Sequence, residues 1–172
     1  MTDRELFERY HEHVYRFCYY LMQNQADAED ICQEVFVKAI LADRSIVRDL
    51  KSWILRIASN ECNSLLRRRK NGLMKEITDF LLSRPHVGNP VEESFDHREA
   101  RTELNRLYSK LPDKIRMVVV LRYINELTVP EISSVINIPE GTVKSRLNRG
   151  LKLLKNMVVS QVKEMSSNES VF

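Results

Sequence analysis

ELTVPEISSVINIPEGTVKSRLNRGLKLLK, residues 126–155, reads as two short helices joined by a tight turn, the second long and basic. Thr128 and Glu131 have the spacing of a capping box, in which each side chain satisfies an amide that a helix start leaves orphaned. Ile132, Val135 and Ile136 give the first helix one apolar face. Asn137 tolerates a turn backbone, and Pro139 fits a first-turn position, where its missing N–H costs nothing. Val143, Leu147, Leu151 and Leu154 recur at steps of four, four and three, which puts them on one side of the second helix. Lys144, Ser145, Asn148, Arg149 and Lys152 fall on other faces. Between Glu140 and Lys155 there are five basic residues and one acidic residue. The pattern predicts a helix-turn-helix that offers its second helix to a DNA major groove. A plain bundle hairpin or a tetratricopeptide-like hairpin competes with it, because a positive helical face is usually only a solvated one.

The rest of the chain bounds that reading. Its 172 residues suit one large or two small domains. An apolar fraction of 43 % and a charged fraction of 30 % describe a folded chain rather than a disordered one. Four glycines leave little room for a sandwich or barrel. The net charge of +3 averages acidic and basic segments, so local pattern outweighs the total. No apolar run has the length to span a bilayer, and the acidic, amphipathic start MTDRELFERY is unlike a secretory signal. Cys18, Cys32 and Cys62 are scattered, with no zinc-knuckle spacing. Each lies in an apolar helical stripe, which predicts buried free thiols in a reducing compartment.

Outward from the centre, Thr2 and Glu5 repeat the capping-box spacing and start a helix to about Met22. Leu6, Phe7, Tyr10, Val14, Phe17, Cys18 and Leu21 form its stripe. His11 and His13 are two apart and do not face each other, which rejects a metal pair. A second helix runs from about Asp27 to Leu41, with Ile31, Val35 and Ile40 or Leu41 inward. Asp27, Glu29, Asp30, Gln33 and Glu34 make a polar, mostly acidic surface. Asp30 and Glu34 share a face, but no histidine, nucleophile or third ligand converges on them. A docking face for a basic protein is the better reading than an enzyme site.

A third helix, about 50–70, turns Trp53, Ile54, Ile57, Ala58, Cys62, Leu65 and Leu66 toward a core. It ends in Arg67, Arg68, Arg69 and Lys70. Cations are favoured at a helix C-terminus, but four in a row exceed what capping needs and suit phosphates. Residues 71–93, with Gly72, Pro85, Gly88 and Pro90, read as a linker, within which Ile77, Phe80, Leu81 and Leu82 suit a short docking helix. His86 and His97 lack metal-ligand company. The next helices are marked by Leu104, Leu107 and Leu111, ended by Pro112, and by Ile115, Val118, Val119 and Leu121. The prediction is an all-α chain of two helical domains: 1–71, a linker over 72–93, 94–163 with the helix-turn-helix, and a frayed tail over 164–172.

The ordered set of segments resembles the extracytoplasmic-function group of bacterial RNA polymerase sigma factors, within the sigma-70 family. DAEDICQEVF (27–36) is similar to the group's polymerase-binding segment, and LKSWILRIASNECNSLLRRRK (50–70) to its promoter-opening and −10-recognition segment. Residues 111–154 are similar to its C-terminal domain, whereas the linker matches poorly. The resemblance implies that Asp27, Glu29, Asp30, Gln33 and Glu34 meet the polymerase clamp helices. It implies that residues 42–49 lie where a flipped −10 base is recognised, that Asn60 reads that element, and that Arg67, Arg68, Arg69 and Lys70 hold nearby phosphates. Lys144, Ser145, Arg146, Asn148 and Arg149 then contact the −35 element, with Arg146 mainly positioning the helix. The implied protein is no enzyme and uses no metal or cofactor. Its partners are core RNA polymerase, promoter DNA and an anti-sigma protein, often membrane-linked, that holds a cytoplasmic factor near the membrane without insertion. It starts transcription of a dedicated, stress-responsive regulon. Separate tethering of the modules lets one chain engage two promoter elements together. A dimeric regulator that binds duplex without polymerase, or a helical protein that sequesters another factor, are the competing functions.

Overall fold

Both capping boxes form as their spacing requires. Thr2 N–H donates to Glu5 Oε2 at 2.6 Å and Glu5 N–H returns to Thr2 Oγ1 at 3.2 Å. Thr128 N–H donates to Glu131 Oε2 at 2.6 Å, and Glu131 N–H returns at 3.4 Å. The computed structural model describes residues 1–80 and 98–169, with side chains for 1–73 and 103–166. Among these the helices are α1 (Asp3–Met22), α2 (Gln25–Leu41), α3 (Leu50–Phe80), α4 (Arg98–Ser109), α5 (Asp113–Tyr123), α6 (Val129–Ile136) and α7 (Glu140–Glu169). The described residues are all-α, as the periodicity predicts.

The helices form two bundles. In the first, α1, α2 and α3 bury Leu6, Val14, Phe17, Leu21, Val35, Ile54 and Leu55. Burying each such side chain stabilises by about 1.5–3 kcal/mol. Cys18, Cys32 and Cys62 are buried free thiols in this core. Burial pushes Cys32 up to about 12, and the contact with Cys62, together with burial, raises Cys18 well above the ordinary range. A thiol-specific reagent is therefore expected to label the native protein at least about a hundredfold more slowly than the protein in urea, since the thiolate is the reactive form. Fast native labelling of any of the three would place it outside the core.

In the second bundle, α5 is the central rod. Residues 115–121 are all buried, Arg116 included. A helix apolar on every side needs cover on every side, and α6 and α7 supply only part of it. The remainder comes from the first bundle, through contacts of α5 with α1. The two modules therefore lie against each other in the free chain, rather than swinging separately on a tether.

Several expectations shift. The third helix does not stop near 70 but continues to Phe80, into the stretch assigned to the linker; residues 81–93 lie outside those described. The apolar group at 77–82 and His86 and His97 fall where no side chain is described. Residues 164–169, expected to fray, extend α7, while 170–172 lie outside the described residues. Neither stretch contains a proline, before 80 or after 164, to impose a stop, so each helix runs on although Gly72 and Ser166 are only modest helix formers. Leu41 is 81 % exposed and Ile40 is also exposed, because Ala39 takes the inward position. Pro139 precedes α7, and its carbonyl accepts from Val143 N–H at 3.1 Å.

Gly150, not Leu151, faces α5. A methyl group at Gly150 would stand 2.6 Å from Val119 Cγ2 and 3.0 Å from Ile115 Cγ2. Leu151 is exposed. Gly150→Leu is expected to cost about 3 kcal/mol by overpacking, of which better helix propensity returns less than about 1 kcal/mol. An unchanged midpoint in chemical denaturation would show that α5 and α7 separate freely.

Candidate nucleic-acid and protein interfaces

The acidic face of α2 forms because Asn24 fixes where the helix begins. Its Oδ1 accepts from Asp27 N–H at 3.0 Å, which aims the next two turns. Glu29, Asp30, Gln33 and Glu34 are exposed. Gln25 Nε2 donates to Glu29 Oε1 at 2.8 Å, and Lys38 Nζ lies 3.4 Å from Glu34 and 2.6 Å from Glu61. Asp27 is different. It is half-buried, and its Oδ2 accepts from Arg69 at 2.6 Å. Two residues assigned by resemblance to different partners thus hold each other and brace α3 on α2. Beyond Glu34 the same face turns apolar, with Val37 and Leu41 exposed. Along α1, His11 lies among the rings of Phe7, Tyr15 and Phe36. Among the described residues no cluster of His, Cys, Asp or Glu has the makings of a metal site.

The segment 42–49 is pinned at both ends. Arg44 pairs with Asp3 of α1, and Asp49 accepts from Ser52 N–H at 3.1 Å at the start of α3. Partial burial pushes the Asp49 carboxyl up, but the Ser52 bonds and Lys51 outweigh it and hold it below the usual carboxylate range. Between these anchors Ile46 is 87 % exposed. On α3, Asn60 is exposed and Arg56 lies one turn before it on the same side. Trp53 is partly buried against the core and also borders a groove of about 540 Å³ with Ile46 and Arg56. Sequence reasoning passed over Arg56; its i, i+4 relation to Asn60 was the available signal.

Farther along α3, ahead of its last ten residues, the four cations part company. Arg67 and Arg68 are exposed, with Arg68 Nε 3.4 Å from the Ser64 carbonyl. Arg69 is committed to Asp27, and Lys70 lies 3.1 Å from Asp113 at the start of α5.

The helix-turn-helix is rigid at its turn. Asn137 takes a left-handed conformation (φ 53°, ψ 54°) that closes α6, a position asparagine tolerates. Ile138 N–H donates to the Ser133 carbonyl at 3.2 Å, and Ser133 Oγ donates to the Ile138 carbonyl at 2.6 Å. Val143 and Leu147 are buried beneath, with Ile138 partly so. Lys144, Ser145, Asn148 and Arg149 project outward; Arg146 is half-buried. Ser145, Arg146 and Arg149 border a second groove of about 550 Å³ with Lys70 and Lys114. Cations from both modules therefore converge there. Such a surface offers charge for phosphates and side chains for base edges.

The profile of the family "Sigma-70 region 2" matches residues 6–72, and that of "Sigma-70, region 4" matches residues 101–154. The chain is 34 % identical over 163 residues to the ECF RNA polymerase sigma factor SigW of Bacillus subtilis, covering 90 % of this chain and 87 % of the relative. It is 32 % identical over 160 residues to SigM of the same organism, an ECF RNA polymerase sigma factor, covering 90 % and 94 %. In fold it is similar to the sigma factor RpoE of Bartonella quintana, solved in complex with the anti-sigma factor NepR. That match has a TM-score of 0.70 and 20 % identity, and covers 90 % of this chain and 95 % of RpoE. It is also similar to CnrH, solved in complex with the cytosolic domain of CnrY (TM-score 0.65, 22 % identity, 92 % and 88 % covered).

Proposed function

This chain belongs to the extracytoplasmic-function sigma factors of the sigma-70 family, and we propose that it divides their work among the surfaces located above. It binds core RNA polymerase, recognises −35 and −10 promoter elements and initiates transcription; it is not itself an enzyme. In our reading, Asp30, Glu34 and their neighbours Glu29 and Gln33 dock on polymerase, with Asp27 holding the face in place. Charge complementarity steers that encounter and fixes its register. Asn60 and residues 42–49 read the −10 strand, and Arg67 and Arg68 hold its phosphates, with Arg69 and Lys70 behind them. Lys144, Ser145, Asn148 and Arg149 read the −35 duplex while Arg146 positions α7. Residues 1–71 and 94–163 act as the two functional units, separated by 72–93.

The observation that carries this division is the opposition of charge between two exposed helix faces. The carboxylates of α2 repel DNA phosphates and suit a basic protein, whereas the cations of α7 do the reverse. We further infer a cytoplasmic factor controlled by an anti-sigma protein, which tethers it near the membrane where that protein is membrane-linked, and a stress-responsive regulon. The likeness to sigma chains solved with anti-sigma partners supports the control, and no helix among the described residues is long and apolar enough to cross a membrane. In vitro transcription with core polymerase and fragmented genomic DNA, followed by mapping of RNA 5′ ends, tests the reading. New starts that require the chain and share two upstream elements are expected. Tight duplex binding without polymerase would instead favour a stand-alone regulator.

A further inference from the structure

The groove of about 550 Å³ holds more positive charge than the promoter assignments use. It is bordered by Lys70 of α3, by Asp113 and Lys114 at the start of α5, and by Ser145, Arg146 and Arg149 of α7. Four cations thus stand against one carboxylate, and that carboxylate is already committed. Asp113 Oδ2 lies 3.1 Å from Lys70 Nζ, and its Oδ1 accepts from Arg116. Arg116 is only 7 % exposed, and its Nε has no hydrogen-bond partner among the described residues. A buried positive charge therefore stands behind Asp113. Lys114, Arg146 and Arg149 make no ion pair among the described residues. The start of α5 adds to the same field: Pro112 borders the groove and supplies no side-chain cap to the amides that follow. A helix start of that kind favours an anion.

We propose that this groove is a binding site for a small ligand bearing two or more phosphate groups. Like charges gathered without counter-charge repel one another, and an anion seated among them relieves that repulsion. Cations presented from three separate helices suit several linked phosphates better than one, and each arginine can grip phosphate oxygens through two donors at once. The volume falls within the roughly 300–1,000 Å³ of small-molecule sites. Duplex DNA is the competing source of phosphates. It is a broad rod that rests on the exposed side of α7, whereas this groove is bordered by helices from both modules, and Lys114 lies off the recognition helix altogether. Ser145 and Arg149 serve either ligand, so an occupied groove and a bound −35 duplex exclude each other. That consequence, unlike the site itself, rests on the promoter reading above.

Calorimetric titration of the full chain with inorganic triphosphate, in buffer free of phosphate and divalent cations, tests the site. One triphosphate per chain is expected, with orthophosphate at least about tenfold weaker. Lys114→Glu is expected to weaken triphosphate at least about tenfold, because it exchanges an exposed cation of the groove for a repelling carboxylate. Glutamate is favoured in the first turn of a helix, so the fold survives. Lys155→Glu changes the net charge equally on α7 but does not border the groove, and should shift affinity by less than about twofold. Equal losses in K114E and K155E would mean diffuse attraction, and a lack of saturable triphosphate binding would mean no site; either result overturns the proposal. Lys144→Ala, outside the groove, separates the site from the promoter reading. Its triphosphate affinity should stay within about twofold of the unaltered chain while promoter binding with core polymerase falls. Equal losses of triphosphate and promoter in K144A would make the groove part of the DNA surface and overturn the small-ligand site. If K144A binds both as before, the site stands and the −35 assignment of Lys144 falls.

Discussion

Replacing Lys144 and Arg149 together by alanine is expected to reduce initiation from promoters with an intact −35 element by at least about thirtyfold. That floor follows from roughly 1–3 kcal/mol for each well-formed bond to a base edge or phosphate, hence roughly 2–6 kcal/mol for the two together. Both side chains project from the exposed side of α7, away from the buried Val143 and Leu147, so neither substitution removes core packing. Polymerase affinity should stay within about twofold, because that task falls to α2 in the other module. The salt dependence of promoter binding should also flatten, by about one unit in log–log slope for each phosphate no longer neutralised. Parallel transcription and core-binding titrations decide the matter. Equal losses in both assays would mean that α7 serves polymerase as much as DNA.

Charge reversal at Asp30 and Glu34, both to lysine, is expected to weaken core polymerase binding at least tenfold, with most of the loss in association rate at low salt. Like charges brought together at an interface cost several kcal/mol, and surface charge acts chiefly on encounter. Both residues are exposed and neither caps α2, a task performed by Asn24. The fold should therefore survive; an i, i+4 pair such as Glu34 with Lys38 contributes only about 0.3–0.5 kcal/mol. Asp27 makes the useful contrast. Its substitution severs the bond to Arg69 and should loosen α3 from α2 at that point, so a binding loss there would have a structural cause. Undiminished affinity for the D30K/E34K protein would remove α2 from the docking surface.

Much of this molecule was legible in one dimension. The two capping boxes, the helix-turn-helix and the apolar stripe of α1, apart from Phe7, which is 45 % exposed, follow from spacings of three and four, because a helix brings those neighbours together whatever surrounds it. The exposed side of α7 was legible for the same reason: Lys144, Ser145, Asn148 and Arg149 are what remains once Val143 and Leu147 turn inward. Periodicity was a poorer guide where a third body chooses the face. Leu151 continues the four-residue step but is exposed, since the close approach of α5 at Val119 admits only the glycine beside it. Leu41 likewise yields to Ala39.

Pairings between distant segments were not legible at all. Asp27 and Arg69 each had an assignment of their own, and only the packing of α3 on α2 makes them a pair. Arg56 with Ser134 and Asn125 with His13 join residues 78 and 112 positions apart. Local sequence sets the pitch, the caps and the outward chemistry of each helix. Which modules touch depends on how the all-round apolar surface of α5 finds cover, and tertiary packing decided that.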